Sequence, residues 1–185
     1  GSSSTIKWSA EMGYTYCQTL APIANVARFF QMYRDAAEAA GRQPTPANLA
    51  WSTSIYVGDT DAKALQEAKP HLEAFSNYFI RQSAEQLMPP GYTSIESMKR
   101  LRGTKSYGKP QRAEDLIEQG VVIVGSPETV VEKLAEYQDM AGFGTVLTKT
   151  QFGTMPAGMS RANIEAMAEA VLPKLQDAGE PQAAE

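Results

Sequence analysis

The sequence predicts an α/β fold with a parallel sheet, part of a (β/α)8 TIM barrel and incomplete as it stands. Three observations carry that reading. Extended segments alternate with amphipathic helical ones, as in chains built from strand–crossover–strand units. The junctions carry cap and turn residues where such units need them. The 185 residues hold three convincing strands and one short extended run, whereas a closed barrel takes eight strands in roughly 250 residues.

The elements follow in chain order. Thr5 to Met12 reads as a short helix, with Ser and Thr before it as caps and Gly13 as a left-handed stop. Tyr14 to Leu20, aromatic and Thr-rich, reads as a strand. Ala21-Pro22 opens an amphipathic helix in which Ile23, Val26, Ala27, Phe30, Tyr33, Arg34 and Ala37 recur at spacings of three and four, and Gly41 closes it. Leu49 to Val57 is the strongest strand, with Leu49, Trp51, Thr53, Ile55 and Val57 on one side. Asp59-Thr60-Asp61 caps a helix carrying Leu65, Ala68, Leu72, Phe75 and Phe79, which Pro70 should kink.

An irregular insertion spans about residues 88–120, with Pro89-Pro90-Gly91 and the basic cluster Lys99, Arg100, Arg102 and Lys105. Val121 to Val124 is the short extended run. In Gly125-Ser126-Pro127-Glu128, Ser126 is the cap, Pro127 the first helical residue and Glu128 the acid at the positive helix end. Val130, Val131, Leu134, Tyr137 and Ala141 mark the buried face of that helix, and Gly142 ends it. Phe143 to Thr150 is a further strand, followed by a loop from Gln151 to Gly158. Ser160 is expected to cap a last helix with Ile164, Met167, Ala168, Val171, Leu172 and Leu175 on one stripe. Residues 1–178 thus form one partial barrel, and 179–185 a polar, flexible tail.

Composition removes several function classes. Hydrophobic residues make up 43% and charged residues 21%, within the globular range. Seventeen basic against 21 acidic side chains give a net charge of −4, so no global positive field attracts nucleic acid or anionic lipid. A single cysteine, Cys17, forbids an intramolecular disulfide and a Cys-rich metal site, and a single histidine, His71, removes most histidine-based chemistry. No metal is expected. With no apolar run of about 18–20 residues, the reading is a cytoplasmic, reduced protein. Position 1 is not Met, so the start is either a tag remnant or the point where a longer protein was cut.

The run Val124 to Leu134 (VGSPETVVEKL), then Ala141-Gly142-Phe143, Gln151 to Pro156 (QFGTMP) and Val171-Leu172-Pro173 resembles the C-terminal portion of the bacterial luciferase-like flavin monooxygenases, in the family's order. The opening Ser2 to Thr5, three residues before Trp8, is similar to the family's stretch just after the fifth barrel strand. The resemblance covers most of the chain but only the family's second half, and it implies that the chain is the C-terminal part of the barrel. It implies reduced FMN, supplied by a separate flavin reductase, and O2 acting on a small organic substrate. It further implies that the FMN phosphate meets Ser2 and Thr5, with the backbone of Gly1 and Ser2 beside them. A hydroxyl-rich turn at a helix N-terminus suits an anion, although the same residues could serve only as caps or as part of a tag. Gln151, Phe152 and Met155, after a strand end where a barrel opens its mouth, are substrate-pocket candidates or else a packed loop. Luciferase itself places a tryptophan against the flavin where this chain has Leu20, so that stacking is lost or supplied elsewhere.

No residue earns a catalytic acid or base role, and the isolated chain is expected to be inactive. Two other readings stay open: F420-dependent hydride transfer within the same superfamily, and a non-catalytic half-barrel that pairs with another chain. Either a missing N-terminal half or further copies of the chain, as a homo-oligomer, must cover its two open sheet edges and the inner sides of its helices. Gly125 to Glu128 is read as a cap rather than a second phosphate site. His71 is placed far from the motif loops, Cys17 is read as a small hydrophobe, and the 99–105 cluster as a solvated face.

Overall fold

The computed structural model describes residues 3–80 and 110–179, so Gly1, Ser2 and the 99–105 basic cluster lie outside the described residues. The elements are α1 (Ser3–Met12), β1 (Tyr16–Thr19), α2 (Ile23–Ala39), β2 (Leu49–Val57), α3 (Asp61–Ala74), α4 (Ala113–Glu118), β3 (Val122–Gly125), α5 (Pro127–Ala141), β4 (Thr145–Lys149), α6 (Ala157–Ala166) and α7 (Leu172–Gly179). A π-helical turn, Phe75–Phe79, extends α3, and another, Met167–Val171, joins α6 to α7. Helix α3 runs through Pro70 to Ala74, and α4 lies inside the segment expected to be irregular.

All strand pairs are parallel, and β2 is the hub. Ala50, Trp51 and Ser52 pair with both β1 and β4, so these two strands lie on opposite edges of β2. Ser54 pairs with both Val122 and Lys149, which puts β3 on the same edge as β1, further along. One edge of β2 therefore carries β1 and then β3, and the other carries β4.

Side chains at paired positions share a face. Leu49, Trp51, Ile55 and Val57 point to the helical side, where Ile6 of α1, Val26, Phe30 and Tyr33 of α2, and Val130, Leu134 and Tyr137 of α5 meet them. Burying each large apolar side chain there contributes about 1.5–3 kcal/mol. Trp51, fully buried, has ring centroids 5.6 Å from Tyr137 and 5.5 Å from Phe143. Arg34 of α2 donates to the carbonyls of Ala141 (2.6 Å) and Gly142 (3.1 Å), fastening α2 to the negative end of α5.

The opposite face divides in two. Towards the strand ends, Tyr56, Val122 and Val124 pack with Ala68 and Leu72 of α3 and Leu116 of α4 in a second core. Below it, Cys17, Thr19, Leu147 and Thr145 are exposed. The stripes of α2 and α5 are thus covered by their sheet, contrary to expectation, because β1, β2 and β4 supply the surface they need. The other side of the sheet stands open below that second core, and on the helical side a hollow of about 590 Å³ lies beside β4 between Leu134, Val146 and Met167.

Four local expectations are corrected. Strand β1 is shorter than Tyr14 to Leu20 because Leu20 takes the left-handed region at φ 53°. Ser160 does not cap α6: the helix starts at Ala157 after Pro156, and the Ser160 hydroxyl donates back to the Pro156 carbonyl at 3.3 Å. The last apolar stripe is split, with Met167 and Val171 buried but Ile164 and Leu172 exposed. Cys17 is exposed rather than packed as a hydrophobe.

Buried beside Met167 and Val171 is Asn163. Its Oδ1 accepts from Val57 N–H at 2.9 Å, and its Nδ2 donates to the carbonyls of Ile55 (2.8 Å) and Thr150 (2.9 Å). The amide takes over the hydrogen bonding of β2 at the point where β4 ends. Removing it strands two buried backbone groups of β2 and one of the following loop, at about 1–3 kcal/mol each before relaxation. Asn163→Ala should therefore lower unfolding stability by about 3 kcal/mol in denaturant titration. A loss below about 1 kcal/mol would show that water replaces the amide.

Candidate functional site

The first turn of α1 contains Ser3, Ser4 and Thr5, all exposed, and no acidic residue. Ile6, Ser9 and Ala10 anchor the other side of the helix in the core, which fixes the direction of its N-terminus. Backbone N–H groups at a helix start lack intrahelical acceptors, and the dipole there is positive. The turn itself carries hydroxyls and no acid, a composition that suits a phosphate monoester. Leu20, 48% exposed, ends β1.

The loop after β4 is held from below. Phe152 and Met155 are buried in the second core beside Leu72, while Gln151 is exposed. Gly153, at φ 57°, passes so close to the His71 carbonyl that a side chain there would collide with it. His71 Nδ1 lies 2.8 Å from the Thr154 hydroxyl. His71 is therefore not remote from the motif loops, because α3 folds back over the end of β4. Gln151 and Met155 border a shallow hollow of about 560 Å³ shared with Ser160 and Arg161.

At the start of α5, the Ser126 hydroxyl accepts from Thr129 N–H at 3.3 Å. The Asp61 carboxylate, from the start of α3, accepts from Ser126 N–H at 2.7 Å and from the Thr129 hydroxyl at 3.1 Å. Those bonds hold the Asp61 carboxyl below its ordinary pKa. An anion already occupies this helix N-terminus, and it is the protein's own.

The open face of the sheet is lined by small and polar side chains. Pairing aligns Cys17 and Thr19 of β1 with Ala50 and Ser52 of β2, and these with Thr145 and Leu147 of β4. Lys149, opposite Ser54, ends the row, its ammonium 5.7 Å from the centre of the Phe75 ring. Burial pushes the Lys149 ammonium below its usual pKa, and it pushes the Cys17 thiol up, an effect that Lys149 partly offsets. Residue-by-residue reading missed Lys149, although its parity in the strand from Phe143 to Thr150 places it on the side away from Val146.

A further hollow, of about 890 Å³, lies between α3 and α6, where the Tyr56 hydroxyl donates to Glu67 at 2.8 Å. Among the described residues, no helix is long and apolar enough to cross a membrane.

A sequence profile of the luciferase-like monooxygenases matches residues 1–142. The chain belongs to that family. Among solved structures it is similar to the monooxygenase RslO1 from Streptomyces bottropensis, at 20% identity and TM-score 0.64, covering 94% of this chain and 46% of that one. It is also similar to the oxygenating constituent of 3,6-diketocamphane monooxygenase from the CAM plasmid of Pseudomonas putida, solved with FMN, at 21% identity, TM-score 0.65 and coverages of 91% and 45%. A third likeness is the coenzyme F420-dependent tetrahydromethanopterin reductase from Methanopyrus kandleri, at 18% identity, TM-score 0.56 and coverages of 94% and 48%. The chain spans less than half the length of these proteins, in keeping with part of a barrel. No curated protein sequence matches it significantly.

The Asp61 geometry makes a pH-dependent claim. A carboxyl whose pKa falls on folding adds stability above its unfolded pKa and loses it as pH falls through the folded one. Asp61→Asn should therefore melt below the parent at neutral pH, and the gap should close as the pH drops into the acid range. A gap unchanged with pH in calorimetric scans would show that the carboxylate charge contributes nothing.

Proposed function

We propose that the chain is part of a flavin-dependent monooxygenase in which Ser2 and Thr5, with the Gly1 and Ser2 backbone, hold the phosphate of FMN. The observation that carries this reading is the exposed, hydroxyl-bearing and acid-free first turn of α1 in a member of this family. Bound reduced FMN would supply the electrons that split O2, one oxygen atom going to the organic substrate and the other to water. The side chains of this chain then orient and enclose. Thr5 offers a hydroxyl to the phosphate, and α1 adds its dipole. The open sheet face presents Thr19, Ser52 and Leu147 to whatever lies over it. Gln151 borders the substrate side, with Phe152 and Met155 holding its loop in place.

The proposal extends to the complete protein: a flavin reductase supplies the reduced cofactor, and the remaining barrel strands, or further copies, cover the open face. A second reading, hydride transfer with F420, draws support from the F420-dependent reductase of similar fold. The same turn would then meet the F420 phosphate.

Changing Ser2 and Thr5 together to Ala in the complete protein should weaken FMN binding about tenfold or more, since each hydrogen bond to a charged group contributes about 1.5–3 kcal/mol. Riboflavin, which lacks the phosphate, should bind both forms alike. Equal FMN affinity for parent and variant in a fluorescence titration would overturn the assignment.

A further inference from the structure

Helix α3 is fastened along its whole length. At its start the Asp61 carboxylate accepts from Ser126 and Thr129 of α5. In its middle, Ala68 and Leu72 pack into the second core, Lys69 pairs with Glu114 of α4, and the Glu73 carboxylate accepts from Ala113 N–H at 3.2 Å. In the π-helical turn beyond it, the Asn77 amide bonds twice to the Gln111 backbone, donating to the carbonyl at 2.9 Å and accepting from the N–H at 2.8 Å. A helix tied to its neighbours at both ends and in the middle is a firm support for whatever rests on it.

The loop after β4 rests on it at three successive residues. Phe152 is buried in the second core with Leu72, and Phe75 packs against the same core. Gly153, at φ 57°, lies against the backbone of His71 and Phe75, where no side chain would fit. The Thr154 hydroxyl meets Nδ1 of His71 at 2.8 Å, a bond that either tautomer of the ring can make. The entry to the loop is pinned separately, by Asn163 Nδ2 donating to the Thr150 carbonyl at 2.9 Å. Exposed Gln151 is thus set between two held residues, Thr150 and Phe152. Burial of Phe152 and Met155 contributes more to folding the loop than one hydrogen bond between partly exposed side chains can. The His71–Thr154 bond therefore acts on where the outer part of the loop stands.

We propose that His71 is a positioning residue for the substrate side of the site: through Thr154, with Gly153 seated on α3, it holds the loop that carries Gln151 against the bound flavin. The latch between His71 and the loop follows from the contacts alone. Its place on the substrate side rests on the flavin-monooxygenase reading.

In the complete protein, hydrogen exchange of the peptide covering residues 150–156 reads the latch. Acrylamide quenching of the fluorescence of bound FMN reads whether the loop shields the flavin. Thr154→Val should speed exchange in that peptide about fivefold, the size of one hydrogen bond, and raise the quenching constant about twofold. His71→Leu should do the same, and the double variant should do no more than either alone. Thr154→Ser keeps the hydroxyl and should match the parent in both measurements. FMN affinity should be the same in every variant.

Unchanged exchange in both single variants would overturn the latch. Faster exchange with unchanged quenching would leave His71 a purely structural residue and overturn the positioning role. Weaker FMN binding by Thr154→Val would move the loop to the cofactor itself and overturn the substrate-side assignment. If the parent binds no FMN while exchange quickens as expected in the variants, the flavin reading fails and the latch stands.

Discussion

Everything in this fold depends on satisfying β2. Nearly all of its nine residues are buried, so its backbone groups have little access to water and must pair within the protein. One edge is completed by β1 and then β3, and the other by β4 and then the side chain of Asn163. Four segments distant in sequence are thereby brought to fixed positions around one strand. Helices α2 and α5 come with them, because α2 lies on the crossover from β1 to β2 and α5 on that from β3 to β4, and each buries its stripe on the Leu49–Val57 face. The direction of α1 follows from the same core through Ile6 and Ala10.

The constraint also explains the chemical difference between the two sides of the sheet. The helical side is filled by large apolar and aromatic residues. The other side is Cys, Thr, Ala, Ser, Lys and a single Leu over β1, the first half of β2 and β4, residues that form no core of their own. Towards the C-terminal end of β2 the character changes again, and Tyr56 enters a second core with α3, α4 and the loop through Phe152 and Met155. That second core fixes the loop after β4 and brings His71 to Thr154. The polar part of the face thus ends where this second core begins.

Legibility from sequence followed how local each signal was. The β2 boundaries, Leu49 and Val57, could be read directly because alternation and β-propensity coincide there. Ser126-Pro127 and Gly142 marked both ends of α5, since caps act within one turn. Ser160 misled because a hydroxyl after a loop looks like a cap, while Pro156 four residues earlier already sets the helix start. Asn163 gave no local signal; its role depends on where β4 stops, a tertiary fact. The exposure of Cys17 and the position of Lys149 required knowing which face of the sheet lacks helices. Alternation gives two faces and does not label them. The family resemblance came from short motifs spread along the chain, and the profile match over residues 1–142 bears it out. The roles of Ser2, Thr5 and Gln151 remain proposals built on that membership.

The central claim is that ligand chemistry belongs to the first turn of α1 and the open sheet face, with the helical side purely structural. Hydrogen–deuterium exchange of the complete protein, with and without FMN, tests it most directly. The account predicts slowed exchange in the first turn of α1 and in the strands that frame the open face, β1 and β4, with α2 and α5 unchanged. Protection confined to the α2 and α5 side, or no protection at the start of α1, would contradict it.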